Sequence, residues 1–552
     1  MMNQFLKKYG QIAFYSLWTV SLILQVYCTE LGSDEAYYWM YSRELDWGYF
    51  DHPPVIACLI KVGYGLFHNE LGVRLLPILL SGLTIYLCER LITPRKRSLF
   101  YLIVLSIAVI HFMGFFALPD SPLLLSCALY LLLYRKFLER PGVMISLVLG
   151  GTIALMILSK YHGVLIVFMT VLSNWKLIKN RYFWLVATVV IVALTPHILW
   201  QYNMNFPSIR YHLFGRSAEP YMFRFTWEYL LTELYVLGPF TGIVMFIVAL
   251  RVKAKDDFER SLKFLFWGCY IFFFFMTFKG RVEAHWTFFV MIPGIYLGYR
   301  WLEQRNARWF RTLAFVSLGL IFVGRMLIAM PFDKKKYPVL GQLTAGFNSE
   351  SLMKGIHKTA GNYPVAFIDS YQMASLYGFY SGQQSFSFNS FMGRQNQFNL
   401  WDSEGRFRGK SVMVIMNYKT GYPKMETAPE VRYTVIDNFQ GFSSVFVQPV
   451  NFPKQMKPAS SQTIKLQIVD KNSLDLGANL DYPVKLFAHF FEESIFIETH
   501  DIKWLSNDDL NKEIEVNFSA PEKPGNYAVQ FSLKAGWLPG TRNSENWKLN
   551  VK

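Results

Sequence analysis

Cysteine is scarce in this chain, with five in 552 residues and none beyond Cys269. Cys28, Cys58, Cys88, Cys127 and Cys269 form no pair with metal-type or redox-type spacing, which argues against a zinc module or a disulfide framework. Charge is thin as well. Asp, Glu, Lys and Arg make up 17% of the residues while 52% are hydrophobic and 17% aromatic, too apolar for an ordinary soluble protein. The scarcer sign is negative: 39 acids stand against 55 Lys and Arg, a formal net charge of +16. That excess invites a nucleic-acid partner, but much of it sits in short loops between apolar runs, where it sets membrane orientation. No nucleic acid is expected. Internal repeats and low-complexity tracts are missing. So is a small-residue cleavage site after the first apolar run, which therefore reads as a retained span.

What is present is a chain of two halves. Up to about residue 330, apolar runs recur at the length needed to cross a bilayer. They fall near 11–28, 76–92, 99–117, 121–135, 143–158, 161–174, 182–200, 229–250, 262–278, 286–300 and 312–330, about eleven spans. Every second connection is basic, as in Arg90–Arg97, Arg135–Arg140, Lys176–Arg181, Arg251–Lys263 and Arg300–Arg311. Those connections are expected on the cytoplasmic side, which puts the N-terminus inside and the C-terminal half outside.

The opposite connections then share the outer face, and they hold nearly all the unusual polar residues. Asp34, Glu35, Asp51, His52 and Arg74 lie in the first of them, and Asp120 lies in Leu118-Pro119-Asp120-Ser121-Pro122. Lys160 and His162 follow, then Arg210, His212 and Arg216, then Arg281, Glu283, His285 and Trp286. Within the first loop, a short helix is expected from Ala36 to about Leu45, capped by Ser33 or Asp34, and a second, apolar one after Pro53-Pro54.

Beyond residue 332 two soluble regions are expected. Residues 333–450 alternate helix and strand patterns, with buried strands at 364–369 and 411–416. Residues 451–552 alternate apolar and polar positions, as in 463–469 and 527–533, and read as a β-sandwich.

Carboxylates and cations converging on one membrane face suit the transfer of a sugar carried on a lipid phosphate. A carboxylate deprotonates an acceptor hydroxyl, and Lys, Arg or His hold the charge that builds on the departing phosphate. A single displacement inverts the anomeric centre, whereas a double one needs a second carboxylate. Each residue also has a plainer role open to it. The plainer roles are a helix cap for Asp34, a solvated charge for Glu35, a turn former for Asp120, snorkelling anchors for Arg74 and Lys160, and packing groups for His52 and His162. The paired acids allow a divalent metal without requiring one.

The ordered motifs resemble a known family. Asp34-Glu35-Ala36-Tyr37-Tyr38, Tyr49-Phe50-Asp51-His52-Pro53-Pro54, Arg74-Leu75-Leu76-Pro77, Pro119-Asp120-Ser121-Pro122 and Ser159-Lys160-Tyr161-His162-Gly163 look like bacterial GT-C membrane glycosyltransferases. More narrowly they are similar to the protein O-mannosyltransferase-like group that includes the aminoarabinose lipid A transferases. The resemblance covers about residues 10–330. It implies a GT-C-like polytopic helical domain in a bacterial inner membrane, a polyprenyl-phosphate sugar donor, an envelope acceptor, and Asp34 as catalytic carboxylate with Glu35 as a helper. Asp120 matches the family's second acid, and Lys160, Arg281 and His285 its later positions. Where aminoarabinose transferases typically carry Lys before Pro-Pro, this chain has Asp51-His52. The competing reading is a polyprenyl-lipid transporter or flippase with an outer sensor domain. It calls for charges along the bilayer midplane and pseudo-repeats, and neither is seen.

Overall fold

The computed structural model describes residues 2–552 except 217–220, 306–307, 331, 333–335, 345–348, 417–425, 428–430, 471–473 and 479–481. It divides into two compact units, Met1–Ser349 and Glu350–Lys552. The expected boundary at 332/333 borders residues outside the described set.

The first unit is helical. Its helices are α1 (Met2–Tyr27), α2 (Ser33–Arg43), α3 (Val55–Leu66), α4 (Glu70–Ile92), α5 (Arg97–Leu105), α6 (Ala108–Met113), α7 (Asp120–Glu139), α8 (Val143–Ser159), α9 (His162–Ser173) and α10 (Arg181–Asn203). There follow α11 (Pro207–Arg210), a π-helical turn Tyr211–Gly215, α12 (Phe223–Val236), α13 (Thr241–Arg251), α14 (Asp257–Met276), a 3-10 helix Ala284–Val290, α15 (Met291–Glu303), α16 (Arg308–Ile328) and α17 (Pro338–Thr344). Leu22, Ile85, Phe100, Leu131, Leu265 and Ile295 belong to one buried core that draws on α1, α4, α5, α7, α14 and α15.

Among the described residues, α4, α7, α10 and α16 are long and apolar enough to cross a membrane. The α12–α13 pair, bent by 93°, adds a fifth if it counts as one span. That is fewer than the eleven expected, for local reasons. The run 99–117 breaks at Ser106 and Ile107 into α5 and α6. The runs at 143–158 and 161–174 form helices of 17 and 12 residues, roughly 26 and 18 Å long. Gly238 sits in the α12–α13 bend at φ +113°, where a Cβ would run into the Ser106 carbonyl oxygen. Only glycine fits that turn and that approach together.

The short outer helix begins earlier than expected, at Ser33, and its cap is Gly32. Neither Ser33 nor Asp34 caps it, because Glu35 reaches back and accepts the Gly32 N–H at 2.9 Å.

The second unit opens with α18 (Glu350–Ala360) and a five-stranded sheet. β1 (Val365–Ile368) leads through α19 (Tyr371–Ser381) to the parallel β2 (Ser385–Phe388). β3 (Val412–Met416) is parallel on the other side of β1, and β5 (Arg432–Ile436) and β4 (Glu426–Thr427) complete the order β2-β1-β3-β5-β4. A two-sheet sandwich follows. β6 (Phe446–Pro449), β8 (Ser461–Val469) and β11 (Glu513–Ser519) form one sheet. β7 (Gln455–Met456), β9 (Val484–Glu492), β10 (Ile495–Trp504), β12 (Gly525–Ala535), β13 (Thr541–Arg542) and β14 (Trp547–Val551) form the other. Leu466 and Phe518 of the first share a buried core with Phe490 and Phe531 of the second. The four strands read from the sequence are present as β1, β3, β8 and β12, within two residues at each end.

Candidate active site

Asp34 and Glu35 are adjacent but live in different surroundings. Asp34 is exposed, while Glu35 is buried. Glu35 Oε1 accepts from Arg74 Nε at 2.8 Å and from the Ala117 backbone N–H at 2.8 Å, and Oε2 accepts from Arg74 Nη2 at 2.5 Å. Arg74 gives its remaining bonds to the Thr29 and Glu30 carbonyls, at 2.7 and 2.8 Å, and is fully enclosed. Its guanidinium also lies 5.7 Å from the ring centres of Phe115 and Phe116. Arg74 is therefore no snorkelling anchor, and Glu35 no solvated charge. Together they lock the outer loop, α4 and the turn before α7 into one body. A bidentate, fully bonded pair of this kind repays its desolvation and leaves neither partner spare.

A second buried pair lies beyond that turn. Asp120, the first residue of α7, receives the Lys160 ammonium at 2.8 Å on both oxygens. Asp120 is 2% and Lys160 3% exposed. Lys160 ends α8 in an extended conformation, which sends its side chain across to α7.

The loop between α2 and α3 is pinned from two directions. Tyr41 of α2 donates to Asp51 Oδ1 at 2.6 Å, and Tyr41 and Tyr49 stack 4.1 Å apart. From α10, Trp200 Nε1 donates to Asp46 at 2.7 Å and His197 Nδ1 meets the Trp47 carbonyl at 2.7 Å. Ser208 donates to the Tyr49 carbonyl at 2.8 Å, and the His212 ring nitrogen lies 2.9 Å from the Asp51 carbonyl.

These constraints assemble a cluster of basic side chains from four connections. His162 lies within electrostatic range of Lys160, His285, His212 and His52. His285 is in range of Lys160, Arg216 and His52, and Lys160 of Arg216. Arg216 sits 4.5 Å over the Trp286 ring, which also meets His162 at 5.8 Å and Phe273 at 5.7 Å. Burial first, then Lys160, Arg216 and His52, push the His285 imidazole well below the usual histidine range. A negative charge placed beside such an imidazole favours its protonated form. Asp34 relates to this cluster through its helix. It shares a face with Tyr38 four residues on, and the Tyr38 ring meets His52 at 5.3 Å.

Arg281 approaches the cluster through Glu283, which lies 3.9 Å from it and 3.8 Å from Arg216. Arg210 is exposed and bonded to Asn205 at 2.9 Å, and Arg281 is 60% exposed near Glu228 and Glu283. His212 and Trp286 are the members that sequence reasoning left out of the site, although both stand in connections already marked by their charge. Among the described residues, no three His, Cys, Asp or Glu side chains gather to hold a metal ion.

Residues 51–200 match the dolichyl-phosphate-mannose-protein mannosyltransferase family. That range takes in the Asp51–His52 loop, Arg74, the Asp120–Lys160 pair and α10 as far as Trp200. In fold, the chain is similar to ArnT from Cupriavidus metallidurans bound to undecaprenyl phosphate, with a TM-score of 0.57 over 78% of this chain and 98% of that one, at 14% identity. The fold is ArnT-like. The apo form of ArnT gives a TM-score of 0.53 at 17% identity over the same shares. A relative by sequence is the lipid A galacturonosyltransferase RgtD of Rhizobium johnstonii, 24% identical over 303 residues. That match spans 52% of this chain and 63% of RgtD, less than two thirds of the relative's length. The ArnT-like fold and the two sequence matches support the resemblance read from the ordered motifs.

Proposed function

We propose that this chain is a membrane glycosyltransferase that moves a sugar from a polyprenyl-phosphate donor to an envelope acceptor on the outer face of a bacterial inner membrane. The observation that carries the reading is the gathering of His52, Lys160, His162, His212, Arg216 and His285 from four connections. Basic groups so placed meet the charge that develops on a departing phosphate. Asp34, exposed and one helical turn from the Tyr38–His52 contact, is the general base.

The acceptor hydroxyl gives its proton to the Asp34 carboxylate as its oxygen bonds to the anomeric carbon. The bond from that carbon to the phosphate oxygen breaks, and the electron pair leaves with the polyprenyl phosphate. One displacement inverts the centre. Asp120 holds Lys160 in place, and no step is routed through a metal. Glu35 shapes the loop without taking part in proton transfer.

The finer architecture in this reading is eleven membrane passages, with residues 333–450 and 451–552 as two extracytoplasmic domains. RgtD supports a lipid A-type acceptor, and the binding of undecaprenyl phosphate to ArnT supports that lipid as the carrier.

The test is mass analysis of envelope lipids and glycans from cells with the protein, without it, and with the Asp34→Asn variant. A sugar lost in both deficient strains is the expected result. Identical profiles in all three would overturn the reading.

A further inference from the structure

Helix α12 carries a carboxyl group that the proposed chemistry does not use. Glu233 is 3% exposed. Its Oε2 accepts from Thr287 Oγ1 at 2.6 Å, and its Oε1 has no hydrogen-bond partner among the described residues. An incompletely bonded carboxyl group in an interior is costly, so its position calls for a reason.

The residue it holds supplies one. Thr287 lies in the 3-10 helix Ala284–Val290, next to Trp286 and two residues after His285. Trp286 is the ring that Arg216 covers at 4.5 Å and that His162 meets at 5.8 Å. The helix bearing Glu233 is itself braced, by Thr226 to Thr277 at 2.8 Å and by the Tyr229 hydroxyl to the Tyr270 carbonyl at 2.8 Å. A short 3-10 helix has poor hydrogen-bond geometry of its own and takes its place from outside contacts.

We propose that Glu233 is a positioning residue for phosphate binding. Through Thr287 it sets the 284–290 turn at the depth where Trp286 seats Arg216 and His162, and where His285 enters the cluster. The ligand served is the monophosphate head of a polyprenyl carrier. This rests on the phosphate-binding role given to the cluster above.

The experiment measures undecaprenyl phosphate binding to the full-length protein in lipid nanodiscs, with thermal midpoints recorded alongside. Glu233→Leu and Thr287→Val are each expected to weaken binding about tenfold, with the midpoint lowered in Thr287→Val, which leaves the Glu233 carboxyl without its bond, and held in Glu233→Leu. Glu233→Gln and Thr287→Ser, which keep the hydroxyl-to-oxygen bond, are expected to stay within about twofold. The double variant should be no weaker than the weaker single, because both remove one bond. Additive losses, or a Glu233→Gln as weak as Glu233→Leu, would overturn the proposal, as would full affinity in Thr287→Val. Arg216→Gln separates the two readings. Full affinity there sinks the cluster's role whatever Glu233 does, whereas a loss there beside intact Glu233 and Thr287 variants sinks only the positioning role.

Discussion

Arg74 holds Glu35 through two parallel hydrogen bonds, at 2.8 and 2.5 Å, while Asp34 beside it faces outward. One peptide bond thus separates a buried, paired carboxylate from the exposed one proposed as the general base. Asp34→Asn is expected to abolish transfer with expression and thermal midpoint intact. Arg74→Met is expected to cost about 3–5 kcal/mol of stability by stranding Glu35 in the interior. Activity and thermal melts on both variants check the division of labour. A fully active Asp34→Asn protein would end the base assignment.

The Asp120–Lys160 pair makes a different demand. Lys160→Met leaves Asp120 buried and alone, so it should lower the thermal midpoint and weaken undecaprenyl phosphate binding together. Adding Asp120→Asn removes the stranded charge. The double variant should regain much of the midpoint and none of the binding. Recovery of both would mean that Lys160 has no part in holding phosphate.

Gly48 gives a steric prediction. A Cβ there would meet the Trp200 ring at 2.5 Å and His197 at 3.0 Å. Gly48→Ala should therefore push the 44–53 loop off α10 and cut transfer by about tenfold or more, with expression retained. The partner change Trp200→Phe, which shortens the ring, should restore part of the loss. An unimpaired Gly48→Ala would show that the loop's seat is unimportant.

The second unit has a pH response of its own. Burial pushes the Glu404 carboxyl up from 4.5 to about 7, with Ser443 hydrogen bonds opposing. The folded state therefore holds a proton that the unfolded chain has released between those two values. Stability from this group is complete below about pH 4.5, falls as pH rises to about 7, and is level above; the span is roughly 3 kcal/mol. Hydrogen exchange at residues 404 and 441–445 of the full-length protein, corrected for intrinsic rates, should follow that curve. Glu404→Gln should flatten it.

Much of this was legible in the chain because it is written locally. Strands such as 412–416 announce themselves by composition. The ordered motifs brought Asp51, His52, Asp120, Lys160 and His162 into view before any geometry. The pairings were not legible. Glu35 and Arg74 are 39 residues apart, and no periodicity links them. His212 meets the Asp51 carbonyl across 161 residues, so its membership in the cluster is a purely tertiary fact. The helix boundaries met a related limit. Hydropathy registers apolar length but not the breaks at Ser106 and Gly238, although Gly238-Pro239 was a sign of the second.

Helix α10 links the site to its surroundings. It is the least buried of the four long apolar helices, with 17% of its apolar window inside the protein, yet Trp200 and His197 on it tie down the 44–53 loop. A helix of 23 residues is about 34 Å long, somewhat more than a hydrocarbon core of about 30 Å. Such a helix meets its bilayer by tilting, and the tilt follows lipid chain length. Because Asp51 and His52 hang from the same post, bilayer thickness becomes one of the variables that set the distance between the groups proposed to hold phosphate.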